Sequence, residues 1–171
     1  MSQPVLPPLP EGAILMTEPH GPDCFGCGRD GVAGLDMDVY QAGDEVIGDI
    51  TFGPRHSAAH GAVHGGVVAT VCDDLLSYLL FVHSEPAVTR ALEVGYVRPV
   101  LAGRPYRLTA RIAGKDGRKL FMACEGTSAD GVTAFTTEAV FIRVDPGAYF
   151  DRPGARIHPR LMGGRQDRPT G

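Results

Sequence analysis

The chain has 171 residues, of which 43% are hydrophobic and 21% charged, enough for one domain with a sizeable core. A net charge of −4, with no basic run interleaved with aromatics, excludes nucleic acid as a partner. The first ten residues have neither a basic start nor an apolar run, which predicts no secretory signal, a cytoplasmic location and reduced thiols at the four cysteines.

Residues 1–23 carry prolines at 4, 7, 8, 10, 19 and 22, a density that neither a helix nor a central strand tolerates. They read as an arm or extended cover. Cys24-Phe25-Gly26-Cys27 offers half of a zinc site, but Cys72 and Cys124 stand alone in a helix and a strand and the histidines are scattered. The stretch therefore reads as a turn with two partly buried thiols, and no metal is assigned. Gly26-x-Gly28-x-x-Gly31 matches the dinucleotide fingerprint by letter, yet no apolar strand precedes it and no helix follows. No cofactor is expected from it.

From Gly34 the texture becomes β. Leu35, Met37 and Val39 alternate with Asp36, Asp38 and Tyr40, and after an Ala42-Gly43-Asp44 turn residues 46–52 read as the return strand of a hairpin. Residues 53–63 form a loop that delivers the chain to a helix. His56, His60 and His64 lie on this approach at a spacing of four, without the His-Glu-x-x-His pattern of a metal site.

From Gly66 to Val82 there is no Lys, Arg, Glu, Gln or Pro, so this helix has no solvated charged face and something must wrap it. At about 100° per residue, Val67, Val68, Val71, Cys72, Leu75, Leu76, Tyr78 and Leu79 form the apolar arc. Opposite them Gly66, Ala69, Thr70, Asp73 and Ser77 make a stripe of small or polar residues, with Leu80 at its far edge and Asp73 at its centre. Asp74 lies off that stripe, paired or solvated at an edge. Two adjacent acids near the middle oppose membrane insertion. A carboxylate on a buried small-residue stripe is costly unless paired, and the small neighbours leave room for a ligand or water beside it.

His83-Ser84-Glu85-Pro86 is the stop signal. Four strand-like runs follow at 87–97, 106–113, 120–127 and 133–144, and residues 145–171 read as a Pro/Gly/Arg-rich tail. The order ββ, helix, ββββ predicts an α+β domain over residues 24–144, a curved, mostly antiparallel sheet wrapped around one long helix.

With His64-Gly65-Gly66 followed by Asp73 on the helix, the sequence resembles the hotdog-fold acyl-CoA thioesterases of the 4-hydroxybenzoyl-CoA and phenylacetate-pathway type. Cys24-Phe25-Gly26-Cys27-Gly28 with Gly34-Leu35, the Val88-Thr89 opening of the next strand, and Arg98-Pro99 with Gly103 also match a branch of that family. The resemblance implies a hotdog fold and hydrolysis of an acyl-CoA or acyl-carrier thioester. Two departures stand out: the chain has no Asn, so His60 stands near where relatives place an Asn or Gln, and Asp30-Gly31 replaces an Asn-Pro.

Thioester hydrolysis needs a stabilised oxyanion and an activated water or nucleophile. Gly65 and Gly66 open the helix, where free N–H groups and the helix dipole face whatever binds. Asp73 lies roughly 10 to 13 Å further along, too far to serve the same carbonyl from the same helix. The resemblance implies an isologous homodimer, or a dimer of dimers, in which the Gly pair of one protomer faces Asp73 of the other. It further implies that Thr89 orients water and that His64 belongs to the catalytic set. His60, Ser77, Arg98, Arg118 and Lys119 are candidate substrate contacts, the three basic residues for CoA phosphates. The alternative is a hotdog module that binds acyl-CoA without hydrolysing it. A hydratase would want an Asp and a His a few residues apart on the wrapping loop and helix, which this chain does not show.

Overall fold

The computed structural model describes residues 4–17, 20, 24–28 and 34–149. In chain order the elements are β1 (Ile14–Met16), β2 (Asp38–Ala42), β3 (Glu45–Thr51), a single 3-10 turn (Pro54–His56), α1 (Gly65–His83), β4 (Ala87–Tyr96), β5 (Pro105–Asp116), β6 (Lys119–Ser128), β7 (Thr133–Arg143) and a four-residue helix α2 (Pro146–Tyr149). The strands form one antiparallel sheet in the order β1-β2-β3-β5-β6-β7-β4.

The period-2 pattern decides which side of the sheet is the core. Leu108 and Ala110 on β5, Leu120 and Met122 on β6, and Phe135, Ala139 and Phe141 on β7 are buried on the side that receives α1. The helix packs on β3, β4, β5 and β6, and Val71, Cys72, Leu75, Leu76 and Leu79 have no solvent exposure at all. Burial of each such large side chain is worth roughly 1.5 to 3 kcal/mol, which is why this helix needs no charged face. By length and composition α1 is apolar enough to cross a membrane, but in this fold its apolar side is core.

Three expectations are corrected. The Pro-rich arm adds a strand, β1, to the hairpin edge, so the sheet has seven strands instead of six; a three-residue edge strand between prolines satisfies proline's exclusion from central strands. Leu80 is buried, at 5% exposure, and belongs to the core arc. The small-residue stripe is less enclosed than expected: Ala69, Thr70, Asp73 and Ser77 are half-buried and Gly66 is exposed. Of the 145–171 tail, residues 145–149, which include α2, fall among the described residues.

The turn from α1 into β4 fixes how that strand lies against the helix. Ser84 takes the left-handed conformation (φ 52) and its N–H bonds back to the Leu80 carbonyl. Glu85 then accepts Arg143 Nε at 2.6 Å, Arg143 Nη2 at 2.9 Å and Lys115 Nζ at 2.8 Å. These bonds, Arg143's first, hold the Glu85 carboxyl below its ordinary range. A depressed carboxylate stabilises the fold above its unfolded pKa and loses that contribution as pH falls through the folded one. Glu85→Gln is expected to cost about 1 to 2 kcal/mol at neutral pH, the scale of a charge-assisted hydrogen bond. The gap between variant and parent in chemical denaturation should close below about pH 4.

Candidate active site

His64 is the N-cap of α1, in extended geometry, and its ring Nδ1 accepts the Gly66 N–H at 2.9 Å. An accepting Nδ1 is unprotonated, so the ring's proton sits on Nε2. This corrects the expectation that both glycine amides are free: Gly66's is taken by the cap. Among the described residues Gly65's N–H has no protein acceptor, and it remains the amide that the helix start presents outward. His64 thus caps the first turn of α1, beside Gly65.

Along the same side of α1 runs β4. Thr89 Oγ1 donates to Asp73 Oδ1 at 2.8 Å, and Tyr96 Oη donates to the Gly65 carbonyl at 2.7 Å. Two residues seven apart on a regular strand point to opposite faces, so both cannot meet one helix without an irregularity. The irregularity is a β-bulge at Arg90: the β4–β7 register shifts between Thr89 and Ala91, and the extra residue reverses the alternation. Thr89 before the bulge, and Leu92, Val94 and Tyr96 after it, therefore face α1, while Glu93 and Gly95 line the outer face of the sheet. Thr89 and Asp73 were both anticipated; Tyr96 was not, because its facing depends on the bulge.

The remaining stripe hydroxyls are engaged within the helix. Thr70 Oγ1 donates to the Gly66 carbonyl and Ser77 Oγ to the Asp73 carbonyl, each at 2.9 Å. Ser77 keeps only its acceptor lone pairs for a ligand. His60 sits exposed in the loop before α1 with φ 54. Arg98 follows β4 at the end of the sheet nearest the Gly65 turn, whereas Arg118 and Lys119 lie at the β5–β6 turn, level with the start of β4. The length of β4 separates the two groups by roughly 25 Å, so one chain does not gather the three basic side chains into one site. A depression of about 550 Å³ on the outer face of the sheet, lined by Glu45, Glu93, Arg111, Glu125 and Glu138, lies across the sheet from α1.

Asp74 departs most from expectation. Instead of standing at an edge it is buried, at 8% exposure, and faces the Cys24–Gly28 turn. A Cβ at Gly26 would sit 2.4 Å from the Asp74 carboxyl carbon, so only glycine lets the turn approach this closely. All four cysteines are free thiols. Burial, then the neighbouring Asp74, push the Cys27 thiol up to about 12.

Residues 60–135 match the family model described as Thioesterase superfamily. The mouse protein named acyl-coenzyme A thioesterase THEM4 is 32% identical over 87 residues, 50% of this chain and 37% of that protein. The chain therefore spans well under half the length of this relative. A solved thioesterase superfamily protein superposes with a TM-score of 0.62 at 27% identity over 64% of this chain and 55% of that one. A hypothetical thioesterase from Streptococcus pneumoniae, solved with coenzyme A, superposes at 0.61 with 14% identity over 64% of this chain and 86% of that one. One long helix packs on an antiparallel sheet as in these solved thioesterases, and residues 60–135, from the loop before that helix into the last strand, are similar to the thioesterase superfamily.

Proposed function

We propose that this chain hydrolyses an acyl-CoA thioester, as a homodimer whose two sites each combine Asp73 and Thr89 of one protomer with the α1 N-terminus of the other. The observation that carries the reading is the 2.8 Å bond from Thr89 Oγ1 to Asp73 Oδ1 on the half-buried stripe of α1. It leaves Asp73 Oδ2 to act as the base and the Thr89 oxygen to accept from the same water.

In the reaction the water oxygen attacks the thioester carbonyl carbon while its proton passes to Asp73 Oδ2. The carbonyl π electrons move onto oxygen, and the Gly65 N–H at the partner's helix start stabilises that charge. The C–S bond then breaks, and the CoA sulfur leaves with the electron pair and takes the proton back from Asp73. Direct attack by Asp73 would instead pass through a mixed anhydride. Single turnover in ¹⁸O-water identifies the anhydride route when label is recovered in Asp73, as it is when water attacks the Asp73 carboxyl carbon of the anhydride, since the general-base route never places it there.

Two features support the dimer. Gly65 and Asp73 on one α1 are about 12 Å apart, and among the described residues β4 pairs with β7 alone, leaving a ten-residue edge strand that ends in exposed Tyr96 (54%), followed by exposed Val97 (58%). Such an edge is a template for pairing with another chain. The coenzyme A in the Streptococcus pneumoniae neighbour supports CoA as the thiol carrier. Steady-state assays across aromatic, short, medium and long acyl-CoAs with thiol detection are expected to show turnover, with light scattering reporting a dimer or larger. Tight binding of one acyl-CoA with no turnover of any would establish the binding module instead, and a fully active monomer would end the composite-site argument.

A further inference from the structure

The Cys24-x-x-Cys27 turn does not stand alone as the sequence suggests. His20 Nδ1 lies 3.3 Å from Cys27 Sγ, 3.8 Å from Cys24 Sγ and 3.4 Å from Asp74 Oδ1, and Cys24 Sγ lies 3.8 Å from that same carboxylate oxygen. All four ligand-type atoms fall within 4.8 Å of one another. A tetrahedral zinc with ordinary bond lengths sets its ligands apart by about 3.6 Å for nitrogen to sulfur, about 3.3 Å for nitrogen to oxygen and about 3.6 Å for sulfur to oxygen. These four observed separations lie within about 0.3 Å of those values.

The surroundings point the same way. The Asp74 side chain is more than nine-tenths buried and its Oδ2 has no hydrogen-bond partner among the described residues, a state that costs several kcal/mol unless a cation compensates it. One imidazole nitrogen faces two sulfurs and a carboxylate at once, and a single N–H can satisfy only one of them. The His20 ring is held over α1 by Tyr78 and Phe81, at centroid distances of 5.8 and 5.2 Å. Gly26 is bare where the turn presses on Asp74.

We propose that His20, Cys24, Cys27 and Asp74 form a structural zinc site that staples the N-terminal segment to the middle of α1. Two thiolates, an imidazole and a carboxylate suit zinc better than a hard cation. Four protein ligands leave no open position, the mark of a structural site as opposed to a catalytic one. The site sits one residue along from Asp73 and around the helix from it, so the metal fixes the helix that carries the base without touching the thioester.

The test uses the whole chain, expressed with zinc in the medium and purified without a metal-affinity step. Elemental analysis after exhaustive dialysis is expected to find about one zinc per chain, falling below about a tenth in Cys24→Ser/Cys27→Ser. Replacing zinc by Co²⁺ in the unmutated protein is expected to give thiolate-to-cobalt charge transfer in the near ultraviolet and intense tetrahedral visible bands. Stripping the metal should lower Tm, and added zinc should restore it. Should the double serine variant fail to fold, the stripped and cobalt-loaded native chain still decides the matter. Protein lacking metal whose Tm ignores added zinc, a Cys24–Cys27 disulfide by mass, or full zinc retention in the double variant would each overturn the site. Activity enters none of these readouts, so they stand or fall apart from the thioesterase reading.

Discussion

Asp73→Asn is expected to lower thioester turnover by about 10² or more, the scale of losing a general base, with fold and assembly intact. Asn keeps the volume of the side chain and an oxygen that still accepts the Thr89 hydroxyl now bonded to Asp73 Oδ1 at 2.8 Å. It removes only the basic oxygen, so kcat should fall much more than KM rises. Thr89→Val should reproduce a part of that loss, about tenfold, and Thr89→Ser should recover most of it, because serine restores the hydroxyl but not the β-branch. The neighbouring acid provides the contrast. Asp74→Asn should weaken zinc retention and thermal stability, while turnover per folded chain stays far closer to the parent. Near-normal turnover in Asp73→Asn would remove the proposed base, and equal turnover losses at positions 73 and 74 would mean that the chemistry does not select the stripe face of α1.

Gly65→Pro is expected to cost about 10² to 10³ in turnover, the loss seen when one oxyanion donor is deleted. Proline removes the N–H and is well tolerated at the first position of a helix. The residue before it suits it too, since His64 is already extended at φ −61 and ψ 130. A ring here does crowd Tyr96, whose hydroxyl would lie 3.1 Å from a Cβ and donates to the Gly65 carbonyl, so that side chain has to give by a few tenths of an ångström while the carbonyl it bonds is kept. Circular dichroism and light scattering should therefore match the parent. The decisive measurement mixes the Gly65→Pro and Asp73→Asn chains after partial unfolding and refolding. Half of the re-formed dimers pair the two variants, and each holds one site with both an intact Gly65 and an intact Asp73, so about a quarter of the parent activity should return. No recovery, with mixed dimers verified by mass spectrometry, would place both groups of one site on the same chain.

How the chain divides into elements was legible in the residues. A run from Gly66 to Val82 without a basic residue or proline has to be a wrapped helix, and α1 spans Gly65–His83. Four later runs broken by glycine and proline became β4 to β7 within a few residues of their predicted ends. The 100° periodicity set Asp73 on the small-residue stripe before any tertiary contact was known, because side-chain direction along a regular helix depends only on residue number. Regular local geometry propagates from the residue pattern, and nothing beyond the pattern was needed.

What the tertiary structure decided depends on irregularity or on distance along the chain. That Thr89 and Tyr96 both reach α1 rests on one bulged residue at Arg90, which reverses every later side chain and leaves no mark in composition. That the Gly66 amide belongs to His64 rests on a cap geometry which the letters His-Gly-Gly leave open. The Cys24-x-x-Cys27 turn looked like half a metal site because its other ligands come from four residues before it and from a helix position 50 residues away. Asp74 reads from its own helix alone as an acid paired or solvated at an edge; its partners, His20 and Cys24, come from a distant turn. Only folding lays the turn across that edge, where burial makes an unpaired carboxylate costly and turns the requirement for a partner into a site.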